Sequence, residues 1–328
     1  MASAAQCCAR NLSRSLDPKP KKALVGLPRS ALYPQTHVAF ARRFSRENAC
    51  LAYLERLRWD SGFVCPGCGH GKAWRLRPGV RQCQRCSRRV TVTAGTIFHR
   101  SRKPTRDWLD AIWHLCGQKN GGSALGLLHT AGFGSYHTAW EWLHRIRRAM
   151  VLPGRTKLSG EVEVDETFIG GVRSGKRGRG AACKTLVLIA VEVHGTVLGR
   201  VRLAVVPDAT AGSLLAAVDE LVAAGSNVVT DGWTGYAGLP QRGYKHTISR
   251  PTPQVGRNLL PKAHRVASLL KRWFLGTLQG SVGKARLQSY LDEFVFRFNR
   301  RSSGSRGLLF YRLTRQCLNH PPVPISKL

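Results

Sequence analysis

Carboxylates are scarce in this chain, yet four of them crowd into one short segment. The sequence has 18 Asp and Glu residues against 52 Lys and Arg, and Glu161, Glu163, Asp165 and Glu166 all fall within residues 160–171, GEVEVDETFIGG. On a strand with a period of two, Glu161, Glu163 and Asp165 share one face. Neighbouring carboxylates repel one another unless a cation lies among them, so this pattern predicts that at least one of the three binds a metal.

A second candidate ligand is Asp231, at the end of the short apolar segment 226–233, SNVVTDGW. Adjacent strands of one sheet can bring two such carboxylates together on the same side. Two oxygen donors of this kind suit Mg²⁺ or Mn²⁺. Each segment alone is also consistent with an exposed acidic strand edge or a turn aspartate. Their joint occurrence in strand contexts favours a divalent-metal site.

The third ligand cannot be a nearby carboxylate, because no Asp or Glu occurs from Gly232 to Leu291. The helix-like segment 261–276, PKAHRVASLLKRWFLG, offers His264, with Lys271 seven residues later on nearly the same face. A neutral imidazole can complete a metal site, and a lysine can hold a phosphate beside it. A lone helical histidine is often structural, so three rivals stay open: Asn258, His246 and the distal carboxylate Glu293.

A separate metal site is indicated by cysteines with the spacing C-x2-C-x14-C-x2-C: Cys65, Cys68, Cys83 and Cys86. Two thiolate pairs on tight turns close a tetrahedral site around one Zn²⁺ and leave no open position, so the zinc is structural. In so short a segment the metal contributes folding free energy on the order of 10 kcal/mol. His70 lies close by and is interpreted as a neighbour of the site. The other cysteines are scattered and no export signal precedes them, which favours a reducing cytoplasm.

The charge balance points to a polyanionic partner. The formal net charge is +34, and the sequence pI is near 11. Surfaces that merely need solubility intermix both signs, so this excess favours nucleic acid. Membrane binding is not expected, because no apolar run approaches about 18 residues.

Periodicity and composition divide the chain into several parts. The predicted domains are a disordered basic tail (1–36), a helical lead-in (37–60), a zinc ribbon (61–98), a helical DNA-binding region (99–150), a catalytic domain (160–315) and a tail (316–328). Residues 121–150 have the pattern of helix, glycine-containing turn, helix, which fits either a helix-turn-helix or an ordinary helical hairpin.

The fold class expected for the catalytic domain is mixed α/β. A strand at 161–170, a hairpin formed by 184–195 and 196–209, a helix at 211–225 and a strand at 226–233 follow one another, with later helices. This order is that of a ribonuclease H-like sheet.

Basic side chains in three parts of the chain are expected to contact nucleic acid. They are Arg145, Arg147 and Arg148 on the predicted outer face of a helix, Lys176, Arg177 and Arg179 in the acid-free loop 172–184, and Lys271 with Arg272.

Several motifs in order resemble those of bacterial insertion-sequence transposases of the IS1595 family, with an ISXO2-like catalytic domain. They are the paired C-x2-C motifs, GSYHTAWEWLHRIRRAM, VEVDETFIGG, TDGWTGY, HRVASLLKRWFLGT and YLDEFVFRFNRR, and the resemblance spans about residues 37–315. It implies a zinc ribbon that helps to bind element ends, and a ribonuclease H-like domain of the DDE type.

The resemblance also assigns roles to residues. It implies that Asp165 and Asp231 are catalytic, that Lys271 is the basic residue of the site, and that His264 stands where the DDE pattern has its third Glu. It further implies a pair of Mg²⁺ or Mn²⁺ ions, cleavage by water that leaves a 3′-hydroxyl, and attack of that hydroxyl on target DNA. Terminal inverted repeats and target DNA would be the partners, bound by a homo-oligomer in the bacterial cytoplasm at the nucleoid.

Two alternatives belong to other functional classes. One is a non-catalytic DNA-binding protein that keeps the ribbon and helices above a degenerate nuclease domain. The other is a ribonuclease H-like nuclease that acts on RNA–DNA hybrids, which the ribbon and the large basic excess disfavour.

Overall fold

The computed structural model describes residues 29–118, 120–152, 154–170, 184–251, 258–279 and 282–324. They divide into two compact units, one made of the described residues up to Leu152 together with those from Ser302 onward, and the other of those between. Most of the predicted tail 1–36 and the basic loop with Lys176, Arg177 and Arg179 lie outside the described residues.

The first unit contains seven helices and three strands among its described residues. They are α1 (Arg29–Leu32), α2 (His37–Arg43), α3 (Glu47–Arg58), β1 (Ala73–Arg77), β2 (Val80–Cys83), β3 (Arg89–Thr91), α4 (Thr105–Gly117), α5 (Ala124–Ala131), α6 (Tyr136–Ala149) and, from the C-terminal end of the chain, α10 (Arg306–Asn319). The predicted lead-in 37–60 is thus two helices. Arg46 is the N-cap residue of the second helix.

Three antiparallel strands, in the order β1-β2-β3, form the ribbon sheet. One face of this sheet packs on α3, where the Arg81 guanidinium lies 4.5 Å from the centre of the Trp59 ring. Val90 and Cys83 are buried in the same small core with Phe63.

Helix α10 belongs to the first unit, although the sequence prediction ran the catalytic domain to residue 315 and placed a tail after it. Phe310 is fully buried, and its ring centre lies 5.4–6.0 Å from those of four aromatic residues of α2–α4: Phe40, Phe44, Tyr53 and Trp113. The C-terminal segment therefore completes the core of the N-terminal unit.

The second unit is a mixed α/β domain, as predicted. Its elements are β4 (Glu161–Ile169), β5 (Thr185–His194), β6 (Val197–Val206), α7 (Ala211–Leu221), β7 (Asn227–Thr230), β8 (Lys245–Ile248), α8 (Pro261–Leu278) and α9 (Leu287–Phe298). The five strands lie in the order β6-β5-β4-β7-β8, with β4, β5 and β6 antiparallel and β7 and β8 parallel to β4. This mixed sheet agrees with the ribonuclease H-like prediction.

Alternation along β4 separates two cores on the two faces of the sheet. Val162 and Val164 face α7 together with Val228 of β7. On the other face, Ile169 and residues of β5 and β6 pack against α8 and α9. Odd-numbered residues of β4 therefore point toward α8, as the period of two requires.

None of the described helices combines the length and the apolar character that crossing a bilayer would need.

Candidate active site and zinc centre

Asp165 and Asp231 are brought together by the register of two parallel strands. Strand β4 pairs with β7 such that Glu161 lies opposite Asn227 and Glu163 opposite Val229. The same offset, continued by two residues, sets Asp165 beside Asp231, which directly follows β7. Since hydrogen-bonded strands lie about 4.8 Å apart, the two carboxylates are neighbours on one edge of the sheet.

Both aspartates belong to the face that α8 covers. Val229 packs on the α8 side, whereas Val164 belongs to the core on the α7 side, and Asp231 and Asp165 each lie on the α8 side by alternation. The Asp165 side chain is 15 % exposed, whereas Asp231 is exposed. One Asp231 carboxylate oxygen accepts a hydrogen bond from the Trp233 backbone N–H at 3.0 Å. Asp231 therefore also stabilises a turn, as the alternative interpretation of this residue expected.

His264 of α8 contacts one of the two aspartates, Asp165. Its Nε2 is 3.3 Å from Asp165 Oδ2, and its Nδ1 is 2.5 Å from Asn258 Oδ1. A neutral ring that donates from Nδ1 to the Asn258 carbonyl presents its Nε2 lone pair on the Asp165 side. Metal-binding histidines in proteins are commonly oriented in this way.

The pKa of Asp165 is affected by the charges of the other residues predicted for this site. Burial, as the largest cause, raises the pKa of Asp165, and the charge of Asp231 raises it further, while His264 and Lys271 act in the opposite direction. Lys271 is exposed on α8, about 10 Å along the helix from His264. The two neighbouring carboxylates repel each other, and a divalent cation bound between them would relieve this repulsion.

The donor set fits a divalent metal in chemistry, because it combines two carboxylates with an imidazole. Among the described residues, however, only the four ribbon cysteines form a set of three or more donor atoms that all lie within 4.8 Å of one another. The aspartates and His264 are therefore spread more widely than a closed cage for one ion. Donors of a two-ion site flank a pair of cations about 3.5–4 Å apart, which calls for such a wider spacing.

Two rival ligands lie elsewhere. His246 is opposite Val228 in the β7–β8 pairing and therefore points to the α7 side, where its Nε2 is 2.9 Å from Thr230 Oγ1. Glu293 is fully buried on α9, with its carboxylate 2.9 Å from Arg297 Nε. The third rival, Asn258, lies beside His264 and contacts its ring.

Glu163 has a role that the sequence pattern did not reveal. Its carboxylate accepts hydrogen bonds from the backbone N–H groups of Lys262 and Ala263, both at 2.8 Å, in the first turn of α8. Burial raises the pKa of Glu163, while these two bonds lower it. The pattern placed Glu163 on the face of Asp165, but it could not show that a helix begins there.

Tyr236 is a second residue that sequence reasoning missed. It is fully buried in the short helical turn that follows Asp231. Burial, and then the Glu166 carboxylate, raise the pKa of Tyr236, and the charges of Asp165 and Asp231 act in the same direction. The signal available in the sequence was its place in the motif TDGWTGY.

The four cysteines predicted to bind zinc converge. Sγ of Cys65 is 3.6 Å from that of Cys86, and Sγ of Cys68 is 3.6 Å from that of Cys83. Four thiolates around Zn²⁺ at about 2.3 Å would be separated by roughly 3.8 Å, so the residues present fit the ion. The Gly67 N–H donates to Cys65 Sγ at 3.4 Å, and this bond, together with bonds from the Cys68 N–H and the neighbouring thiols, lowers the pKa of the Cys65 thiol to about 6.

One expected DNA contact is corrected. Arg147 is 2 % exposed, and its guanidinium donates to the Gly122 carbonyl at 3.0 Å, so it faces the core of the unit rather than solvent. The loop between α4 and α5, which contains Gly122, covers Arg147, so this part of α6 is buried rather than an outer face. Arg145 forms an ion pair with Glu141 one turn earlier on the same helix, and Arg148 is exposed.

Comparison with known protein families gives two matches. Residues 157–299 match the ISXO2-like transposase domain, and residues 45–89 match the transposase zinc-ribbon domain of the same family, so the two matches together cover more than half of the chain. No curated protein matches the chain.

Proposed function

We propose that this chain, which belongs to the IS1595 family of insertion-sequence transposases, cuts and joins DNA with Asp165, Asp231 and His264 as the ligands of its divalent ions. The observation that carries the proposal is the β4–β7 register, whose continuation by two residues pairs Asp165 with Asp231, together with the contact between His264 and Asp165. The zinc ribbon and the net charge of +34 support DNA as the substrate.

The proposed reaction is phosphoryl transfer in two steps. In the first, water attacks a phosphodiester at the element end and the 3′-oxygen leaves, which gives a free 3′-hydroxyl. In the second, this hydroxyl attacks a phosphodiester of target DNA, and the target's own 3′-oxygen leaves. A pair of Mg²⁺ or Mn²⁺ ions would supply activation of the attacking oxygen and stabilisation of the leaving one.

The side chains contribute position and charge. Asp165 and Asp231 would hold the ions on the sheet edge, and Asn258 would keep the Nε2 of His264 turned toward them. Lys271, exposed on the same helix, would contact a phosphate of the bound DNA, and its neighbour Arg272 would add a further backbone contact. The paired ends of an element further suggest that a homo-oligomer carries out the reaction.

The test is a Mn²⁺-dependent assay with a labelled duplex that carries an end of the element. The wild-type chain should nick this duplex and join a pre-cut end to a plasmid. Asp165→Asn and Asp231→Asn should lose both activities by at least about 10³-fold while they bind the duplex as the wild type does. A wild-type chain that binds DNA but neither cuts nor joins it would support the non-catalytic alternative. Cleavage restricted to RNA–DNA hybrids, without joining, would support the nuclease alternative.

A further inference from the structure

The ribbon sheet β1–β3 has one face that remains open to solvent and carries large side chains. Trp74 is 54 % exposed and Leu76 is 47 % exposed. Trp74 lies opposite Gln82 on β2, and Gln82 lies opposite Arg89 on β3. Residues directly opposite one another share a face, so the three form a row across the sheet, called here the Trp74 row.

The other face of the same sheet is already used for folding. Arg75 Nε lies 3.2 Å from Glu55 of α3, Arg81 stacks on Trp59, and Val90 is buried. Burial of this inner face accounts for the attachment of the ribbon to α3. The exposed indole of Trp74 is not explained by the packing of the described residues.

The charge around the Trp74 row defines what can cover it. Residues 61–106 contain eleven Lys and Arg and no Asp or Glu. An acidic protein surface would pair with the basic charges but would not account for the exposed indole of Trp74. A second copy of this basic chain would be repelled. Nucleic acid satisfies both parts of the row, because its phosphates pair with arginine and its base faces stack on tryptophan.

We propose that the Trp74 row is a DNA contact in which the Trp74 indole packs against a base exposed at a duplex end and Arg89 contacts a backbone phosphate. The proposal rests on the proposed DNA binding of this chain and names the surface that carries it out. It concerns binding only, so it can be tested without cleavage.

The test measures binding of the full chain to two probes by fluorescence anisotropy, without Mg²⁺ or Mn²⁺, over a series of salt concentrations. One probe is a fully paired duplex and the other is the same duplex with unpaired bases at one end. Trp74→Ala should weaken binding of the unpaired-end probe by about 5- to 100-fold and leave its salt dependence unchanged. Arg89→Ala should reduce the salt slope by about 1 on both probes.

Two controls keep the result interpretable. Trp74→Phe should retain most of the affinity, since a smaller aromatic ring still stacks. Val197→Ala removes an equally exposed apolar side chain from the other unit and should change nothing. Zinc content of one ion per chain shows that each variant is folded. Trp74→Ala with wild-type affinity for both probes would overturn the proposal, and so would an equal loss on both.

A second, independent observation concerns Glu163, which caps a helix that is distant in sequence. The N-cap residue of α8, Leu260, offers no side-chain acceptor, and the buried Glu163 carboxylate supplies one for two N–H groups. The first backbone N–H groups of a helix have no acceptor within the helix and must bond to water or to a capping side chain. The capped residue Ala263 directly precedes His264, and Glu163 lies two residues before Asp165.

We infer that Glu163 is a positioning residue of the candidate active site. One carboxylate fixes the distance between the strand that carries Asp165 and the helix turn that carries His264. This inference also rests on the proposed function. Partners of this kind typically change metal affinity by about 10- to 100-fold when removed.

The test compares Glu163→Ala, Glu163→Gln and the control Glu161→Gln, which alters an exposed carboxylate on the same strand and face. In the metal-free chain, Glu163→Ala should speed hydrogen exchange of the Lys262 and Ala263 amides. Calorimetry should show Mn²⁺ binding weakened by about 10- to 100-fold, with DNA affinity unchanged. Glu163→Gln should lie between, because its carbonyl oxygen still accepts.

Two results would overturn the Glu163 inference. Unchanged amide exchange in Glu163→Ala would show that the carboxylate does not hold the helix start. Faster exchange with unchanged Mn²⁺ affinity would show a purely structural cap. Absence of catalysis in the wild type would count against the proposed function. Amide exchange and Mn²⁺ affinity could still be compared between the variants in that case.

Discussion

At the residue scale, the raised pKa of Asp165 connects the candidate site to the stability of the chain. A buried carboxyl whose pKa is raised ionises more readily in the unfolded chain, where its pKa is about 3.9. The stability that it confers is complete below the unfolded-state pKa and is lost as the pH rises through the folded-state value. At neutral pH the Asp165 charge therefore destabilises the metal-free chain.

We expect Asp165→Asn to raise the thermal midpoint of the metal-free chain at pH 7 by a few degrees, because it removes this charge. The gain over the wild type should disappear near pH 3.5, where both side chains are neutral. Addition of Mn²⁺ should stabilise the wild type and leave the variant unchanged. Calorimetric scans at the two pH values, with and without Mn²⁺, measure all three effects. A lower midpoint for Asp165→Asn at pH 7 would contradict this account.

The two neighbouring arginines of α6 should behave differently on substitution. Arg147→Met should reduce the free energy of unfolding by about 1–3 kcal/mol, because it removes the buried hydrogen bond that the guanidinium donates to the Gly122 carbonyl. Arg148→Ala should leave stability within about 0.5 kcal/mol, because this side chain is exposed. Denaturant unfolding of the two variants measures the difference. A larger loss from Arg148→Ala than from Arg147→Met would contradict the placement of these side chains.

Residue types and spacing were sufficient to predict the two aspartates, His264 and the cysteines as candidate ligands. The aspartates could be singled out because acidic residues are scarce in this basic chain, and the cysteines because they form two C-x2-C pairs. The burial of Arg147 could not be predicted in this way, because it depends on a loop that the periodicity of α6 does not encode. The capping role of Glu163 depends on a contact across about 100 residues of sequence.

At the scale of elements, the helix α10 was not predicted from the sequence. Leu309, Phe310 and Leu313 give the segment an apolar face, yet an amphipathic pattern does not identify the surface that the helix covers. The sequence prediction placed the segment up to residue 315 in the catalytic domain and the rest in a tail. The segment instead packs against the aromatic cluster of α2–α4. The strand β8 was also missed, because its four residues, KHTI, are mostly exposed and form no apolar run, unlike the equally short β7.

Phe310→Ala should therefore destabilise the unit that holds the zinc ribbon rather than the sheet domain. The loss should be about 3–5 kcal/mol, since a fully buried phenyl ring is removed from an aromatic cluster. Hydrogen exchange resolved by segment should show faster exchange in α2–α4 and unchanged exchange in β4–β6. Asn319→Ala, at an exposed position of the same helix, is the control. Protection lost mainly in β4–β6 would contradict the assignment of α10.

At the scale of the whole molecule, one unit is continuous in sequence and the other is not. The sheet domain runs from about residue 153 to 301, whereas the N-terminal unit needs residues from 302 onward to complete its core. The mixed sheet was predictable because its strands follow the order that a ribonuclease H-like fold requires. The return of the C-terminal segment to the first unit was not.

This division predicts different behaviour of two fragments. Residues 153–301 alone should unfold cooperatively, because both cores of the sheet lie inside the fragment. Residues 29–152 alone should lack cooperative unfolding even with zinc, and a peptide of residues 302–324 added in trans should restore it. Thermal scans followed by circular dichroism measure both. Cooperative unfolding of 29–152 without the peptide would contradict the division.

Anomalous diffraction from crystals grown with Mn²⁺ would show whether divalent ions bind on the edge of the sheet to Asp165, Asp231 and His264. We expect anomalous peaks in contact with the Asp165 and Asp231 carboxylates, at least one of them also in contact with His264 Nε2. Ions bound only elsewhere, or no peak beside these carboxylates at saturating Mn²⁺, would contradict this expectation.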